Sequence, residues 1–256
     1  MPESLHPIGV FPQVAFTPPY FMSRDRINSL GALPKALPTA NLPSHVQETL
    51  REAILNGALA PGERLMVDDV AAHFGVSKIP VREALKALEA DGWVVSQPRR
   101  GTYVRPLSPE ELRETFEMRR LLEPYSARLA AERRTQEQLD QLEDLLGQSA
   151  HALKDGDVVR VTAINSRFHS VMADAAGNTM LAESIAKLEL QLRRYFVAVD
   201  WQQRRESMAQ HTAIYEALRE HDAAMAERLT LAHIAHTESL AKASVDEAAS
   251  AQGLAA

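Results

Sequence analysis

Apolar residues recur at helical spacing through a central block of the chain. Val46, Leu50, Ile54 and Leu55 form one stripe behind Ser44, the expected cap, and that stripe ends near Gly57. Pro61-Gly62 predicts a turn before the short run Arg64-Leu65-Met66. A second, shorter helix carries Val70, Ala71 and Phe74 after the acidic start Asp68-Asp69, and Gly75 suits the left-handed position at its end. Only Gly75-Val76-Ser77 separates it from a third helix, where Val81, Ala84, Leu85 and Leu88 repeat at i, i+3, i+4, i+7. This is helix-turn-helix spacing. Beyond Gly92, Trp93 to Gln97 and Thr102 to Arg105 predict two strands around Pro98-Arg99-Arg100-Gly101, a hairpin with arginines at its tip.

From Ser108 onward glycine occurs only at 147, 156, 177 and 253 and proline only at 109 and 124, a composition that predicts helices throughout. The pattern places them at about 109–132, 135–154, 158–176, 179–200, 203–220 and 222–243, with Gly177-Asn178 as a stop and a new cap. Six such helices pack as an antiparallel bundle. The predicted fold class is therefore mainly α: an N-terminal winged helix-turn-helix with a small β-hairpin wing over residues 44–107, then a C-terminal all-helical bundle over 108–243. Eight of the 14 prolines fall within residues 1–43, which read as a mobile tail, and the Ala- and Ser-rich residues 244–256 are expected to fray.

Composition narrows the function. With no cysteine among 256 residues, disulfides, thiol nucleophiles and Cys-ligated zinc are excluded, so a metal would be held by His, Asp, Glu or Asn. No apolar run is long enough to span a membrane and no secretory leader precedes the first block, so the expected location is cytoplasmic. The net charge of -6 argues against a protein that coats nucleic acid nonspecifically. That charge is unevenly spread: residues 1–43 carry a net +1, 44–107 a net 0 and 108–256 a net -7.

Within the neutral block, Lys78, Arg82 and Lys86 line the face of the third helix opposite its apolar stripe. A helix presented this way enters the major groove of double-stranded DNA with its N-terminal residues, here Ser77, Lys78, Ile79 and Arg82, at the base edges. Arg99 and Arg100 at the hairpin tip would reach phosphates or a neighbouring groove, with Gly101 allowing close approach. Each cationic stripe alone is commonly a solvated face, and a winged helix can also serve as a protein-interaction module. The combination of short turn, basic face and Arg-tipped wing favours DNA.

The run Val76-Ser-Lys-Ile-Pro-Val-Arg-Glu-Ala-Leu-Lys-Ala-Leu-Glu-Ala-Asp-Gly92, followed by Pro98-Arg-Arg-Gly-Thr-Tyr-Val104, resembles the winged-helix domain of GntR-family bacterial transcriptional regulators. The resemblance covers about residues 44–106. The helical remainder, with Phe116-Glu-Met-Arg-Arg-Leu-Leu-Glu123, Asn165-Ser-Arg-Phe-His169 and Ala175-Ala-Gly-Asn178, is similar to the FadR-type effector domain called FCD. The family's Ser-Arg-x-Pro-Val-Arg pattern falls on Ser77, Lys78, Pro80, Val81 and Arg82, with one departure. Lys78 stands where most members carry a base-reading arginine, so the charge is kept and the planar fork is lost. The resemblance further implies a homodimer that binds operator DNA, responds to a small carboxylate and acts most often as a repressor.

The acidic bundle holds a candidate metal constellation. Asn165 and His169 are one helical turn apart and point the same way. His211 and His233 sit symmetrically about the predicted turn at His221-Asp222, so an antiparallel helix pair brings them to similar height. Three imidazoles and one oxygen suit Zn, Ni, Cu or Fe without choosing among them, and the divalent transition metal expected is Zn or Ni, although His236 competes with His233 and isolated helical histidines are often plain core or surface residues. The FCD resemblance assigns the same four residues as ligands. It also makes Arg119 an inward arginine for a carboxylate effector. Arg193, or its neighbour Arg194, would add a second contact from another helix, although two adjacent arginines are ordinarily surface charge. The rival reading is a metal-dependent hydrolase, since an open metal position activates water, but no general base stands out beside the histidines.

Overall fold

Helices with one apolar stripe must bury it against a neighbour. In the computed structural model, which describes residues 28–35, 41–196 and 201–251, they do so as two units. The first contains α1 (Asn28–Gly31), α2 (Leu42–Leu55), β1 (Arg64–Leu65), α3 (Val67–Phe74), α4 (Lys78–Ala90), β2 (Val94–Gln97) and β3 (Gly101–Val104). Val46, Leu50, Val70, Val81 and Leu88 are completely buried at its centre, with Phe74 and Trp93 against them. Each contributes about 1.5–3 kcal/mol of burial energy. Gly75 takes a left-handed conformation at φ 65° and turns α3 directly into α4.

The sheet has the order β1-β3-β2 and is antiparallel throughout, with Arg64 opposite Tyr103 and Gln97 opposite Gly101. The run Arg64-Leu65 thus becomes a third strand beside the expected hairpin. Two boundaries differ from expectation. Residues 1–43 are not uniformly a tail, because α1 places Leu30 and Leu33 on the core of the first unit, whereas 1–27 and 36–40 lie outside the described residues. α2 also begins before Ser44, with Pro43 in its first turn, where a missing N–H breaks no helical bond.

The second unit comprises α5 (Pro109–Arg133), α6 (Gln136–Asp155), α7 (Val158–Ala175), α8 (Thr179–Leu192), a 3-10 turn (Arg193–Tyr195), α9 (Trp201–Arg219) and α10 (Ala223–Ala251). Side-chain caps set its starts: Ser108, Asp157 and Asn178 accept the amides of Glu111, Arg160 and Leu181, and Thr135 forms a capping box with Gln138. The helix expected over 179–200 instead tightens at Arg193, with 197–200 outside the described residues. α10 runs on to Ala251, past the boundary expected at 243, and Val245 is buried in one cluster with Leu112 and Phe116. Residues 252–256 lie outside the described residues.

The end of α8 joins the two units. Leu190 packs on the core of the first. Tyr195 accepts the Ser108 amide and donates to the Ser108 carbonyl, both at 3.2 Å, and Arg194 donates to the Arg105 carbonyl at 3.3 Å and to Glu111 at 3.0 Å. α5 presents Met118, Leu121 and Tyr125 to solvent, Leu121 at 70% exposure, with Glu114 and Arg128 at the two ends of that stripe.

Candidate functional site

The first candidate surface is the exposed face of α4 with the wing. Ser77 precedes the helix in extended conformation, and Lys78, Ile79, Arg82 and Lys86 all face solvent while Pro80, Val81, Ala84 and Leu85 face the core. Ile79 is 66% exposed, an apolar side chain left open to solvent at the start of the helix. Lys78 is held by Asp68 of α3 at 2.9 Å. Arg82, Arg99 and Arg100 are exposed and form no ion pair among the described residues. Arg99 has a left-handed backbone at φ 63°, and Tyr103 anchors the tip by donating to the Arg100 carbonyl at 3.2 Å. Gly101 lies at φ 111°, and a Cβ there would stand 3.0 Å from Arg64 Nε. Arg64 is thus an exposed cation beside the wing that sequence reasoning missed, because its position depends on the pairing of β1 with β3.

The second candidate surrounds three buried imidazoles. His169 on α7, His211 on α9 and His233 on α10 each offer a nitrogen, all within 4.8 Å of one another, and the two Nε2 atoms of His211 and His233 are 3.1 Å apart. Burial, reinforced by the charges of His169 and Arg119 on His211 and by the neighbouring histidines on His233, pushes both pKa values well below the usual imidazole range. Both rings are therefore neutral near pH 7 and carry lone pairs. His233 Nδ1 lies 2.8 Å from Gln210 Oε1, which fixes the proton on Nδ1 and leaves Nε2 as the lone-pair nitrogen facing the cluster. His236 sits apart, half-buried and 4.0 Å from Glu206.

His169 is the odd member. Its Nδ1 is 2.8 Å from Glu123 Oε2 but off the line of a good hydrogen bond, and both ring nitrogens are buried without a hydrogen-bond partner among the described residues. Burial opposes its charged form, yet Glu189 and Glu123 outweigh this and raise its pKa. Arg119 lies among these acids, hydrogen-bonded to Glu123 and 2.8 Å from Glu189. Glu123, although desolvated, is held low by Arg119 and His169, whereas burial raises Glu189. Glu123, His169 and Glu189 also lie close enough to form a second ligand trio, but the guanidinium of Arg119 already supplies the cation there. The three histidines present two neutral rings and a third whose buried nitrogens lack a hydrogen-bond partner among the described residues, a donor set that fits a divalent transition metal.

Beside the histidines opens a small cavity that reaches solvent. His211, His233, Asn165, Arg119, Glu189, Arg193 and Arg204 form its polar wall, and Leu146, Ile164, Phe168, Phe196 and Leu240 are among its apolar lining. Asn165 thus shares the cavity with two of the histidines. Arg193 and Arg194 are both buried, contrary to ordinary surface charge, and of the two only Arg193 lines this cavity. Glu123, Glu189, Gln210 and Arg204 were not foreseen. Glu123 is spaced i+4 from Arg119 and was open to discovery; the others meet the site through tertiary packing.

Two family models match the chain: bacterial regulatory proteins of the gntR family over residues 42–104, and the FCD domain over residues 114–236. The HTH-type transcriptional regulator LutR of Bacillus subtilis is 33% identical over 209 residues, spanning 72% of this chain and 94% of that protein. The HTH-type transcriptional repressor RspR of Escherichia coli is 29% identical over 199 residues, 77% of this chain and 87% of that protein. The solved structure of E. coli McbR/YncC superposes with a TM-score of 0.69 at 24% identity, covering 78% of this chain and 97% of that one, and so shares the fold.

Proposed function

The chain belongs to the GntR family of bacterial DNA-binding transcriptional regulators, with an FCD domain behind its winged helix, and from that premise we propose that it is a homodimeric repressor released by a small organic acid bound at a metal centre. The observation that carries this reading is the buried cluster His169, His211 and His233, two of whose members open onto a cavity that Arg193 and Arg204 also line. His169, His211 and His233 would hold the metal with Asn165, whose neutral oxygen leaves more positive charge on the ion than an aspartate would. When bound, the metal supplies a Lewis-acidic positive charge that attracts an anionic oxygen. The residues do the rest: the arginines orient the carboxylate through paired N–H donors, and the apolar wall excludes water around its body.

On the DNA side, Ser77, Lys78, Ile79 and Arg82 read the major groove, and Arg99, Arg100 and Gly101 meet the adjacent backbone or groove. Lys78 exchanges Asp68 for a phosphate or base on binding. The exposed apolar stripe of α5 supports dimerisation, and the repressor named among the relatives supports the direction of control. The relatives are regulators rather than enzymes.

The test is a fluorescence-anisotropy titration of the protein against DNA flanking its own gene, with scrambled DNA as control, at two salt concentrations. The expected result is a preference of roughly 10³-fold or more for the native fragment, weakening with salt. Arg82→Ala should weaken that binding with the fold intact by circular dichroism. Equal affinity for native and scrambled DNA at both salts would refute the operator assignment for that region.

A further inference from the structure

The 3-10 turn after α8 sends consecutive side chains to different destinations, because each residue advances about 120° around the axis. Arg194 is tied to the Arg105 carbonyl and Glu111, and Tyr195 to Ser108. Arg193 belongs to both units at once. Its side chain, 10% exposed, lines the ligand cavity, yet its Nη2 reaches across to Glu52 Oε2 on α2 at 3.4 Å. Its Nε is buried with no hydrogen-bond partner among the described residues.

The guanidinium is therefore only half satisfied. It has one long ion pair, to a carboxylate that is itself 46% exposed, and one orphaned buried donor. Such a donor gains when an acceptor arrives, and a carboxylate can engage Nε and Nη2 together in the two-pronged geometry that makes these pairs strong. Glu52 has little to lose, since its half-exposed oxygens can return to water. α2 in turn packs its Val46 and Leu50 in the same core as Val81 and Leu85 of α4, so α2 cannot shift without α4.

We propose that Arg193 is the residue through which the cavity controls the winged helix: a carboxylate in the cavity takes its guanidinium from Glu52 and loosens α2 from the bundle. The competition rests on the carboxylate reading of the cavity given above, whereas the tie between Glu52 and Arg193 does not. Leu190 and the Arg194–Arg105 contact remain, so the junction loosens rather than separates. Arg193 acts on DNA binding as a positioning residue.

The experiment is amide hydrogen exchange on the full-length Zn-loaded protein, read over α2 and residues 105–108, with acetate, succinate and citrate as probes at constant ionic strength. Calorimetry in parallel reports whether each probe binds. Glu52→Gln, a conservative change at a half-exposed position, is expected to raise α2 exchange several-fold without any probe and to leave Zn affinity unchanged. A bound carboxylate is expected to raise exchange in the wild-type protein to the same level and to add nothing in Glu52→Gln. Arg193→Gln, with Arg193→Lys as the milder variant, is expected to release α2 and weaken the bound probe about tenfold, and Arg194→Gln to leave the probe's affinity unchanged. Wild-type exchange in Glu52→Gln overturns the tie. A probe that binds without changing exchange overturns the competition. If none of the three binds, the carboxylate reading and the competition both fall, and the Glu52→Gln comparison alone decides the tie.

Discussion

At the scale of single residues, the groups that orient the histidines matter as much as the histidines. Gln210 holds the proton of His233 on Nδ1 at 2.8 Å, and such outer partners typically contribute 10–100-fold to metal affinity. Gln210→Leu is therefore expected to weaken Zn binding by roughly that factor in a chelator-competition assay; unchanged affinity would mean that His233 is oriented by packing alone. Arg119 carries a different burden. Its guanidinium is the counter-charge of two buried acids, Glu123 and Glu189, so Arg119→Met leaves both without a partner and should cost about 3–5 kcal/mol in urea unfolding. The family resemblance pointed to Arg119 as an effector contact, whereas the residue pattern itself grouped Asn165 with His169 and His211 with His233. That grouping was legible because helical periodicity and the symmetry of an antiparallel pair project reliably into space. Glu189 and Arg204 carried no such signal, since each enters the cavity wall from a helix whose rotation is set by packing.

At the scale of elements, starts were legible and ends less so. Ser108, Asp157 and Asn178 announce helices because a short polar side chain can close on an amide within its own turn, a purely local event. The break of α8 at Leu192 and the joining of β1 to the wing are decided by partners far along the chain, and the local pattern is silent on both. The wing offers a direct check. Gly101 combines a φ of 111° with a Cβ position 3.0 Å from Arg64 Nε, so Gly101→Ala strains the tip and displaces a cation together. The expected outcome is weaker operator binding with the unfolding of the bundle unchanged, measured by anisotropy and thermal melting; operator affinity equal to wild type would show that the tip does not contact DNA.

At the scale of the whole molecule, the exposed stripe of α5 has a symmetry of its own. Glu114 and Arg128 lie equally far on either side of Leu121, so two copies of α5 crossing antiparallel at Leu121 bring each Glu114 to the other's Arg128 and Met118 to Tyr125. Because the chain has no cysteine, Leu121→Cys is expected to give a single disulfide-linked dimer under mild oxidation, and Leu121→Glu a monomer by light scattering. A wild-type chain that sediments as a monomer at micromolar concentration would contradict this face. The turn Arg193–Tyr195 has a consequence for how such regulators exchange parts. Of its polar contacts toward the first unit, that of Arg194 reaches the backbone carbonyl at Arg105, which any grafted reading head would supply, whereas that of Arg193 requires an acid at position 52. A chimera that takes its winged helix from a relative lacking that acid should fold and find its own operator, yet be deaf to whatever fills the bundle.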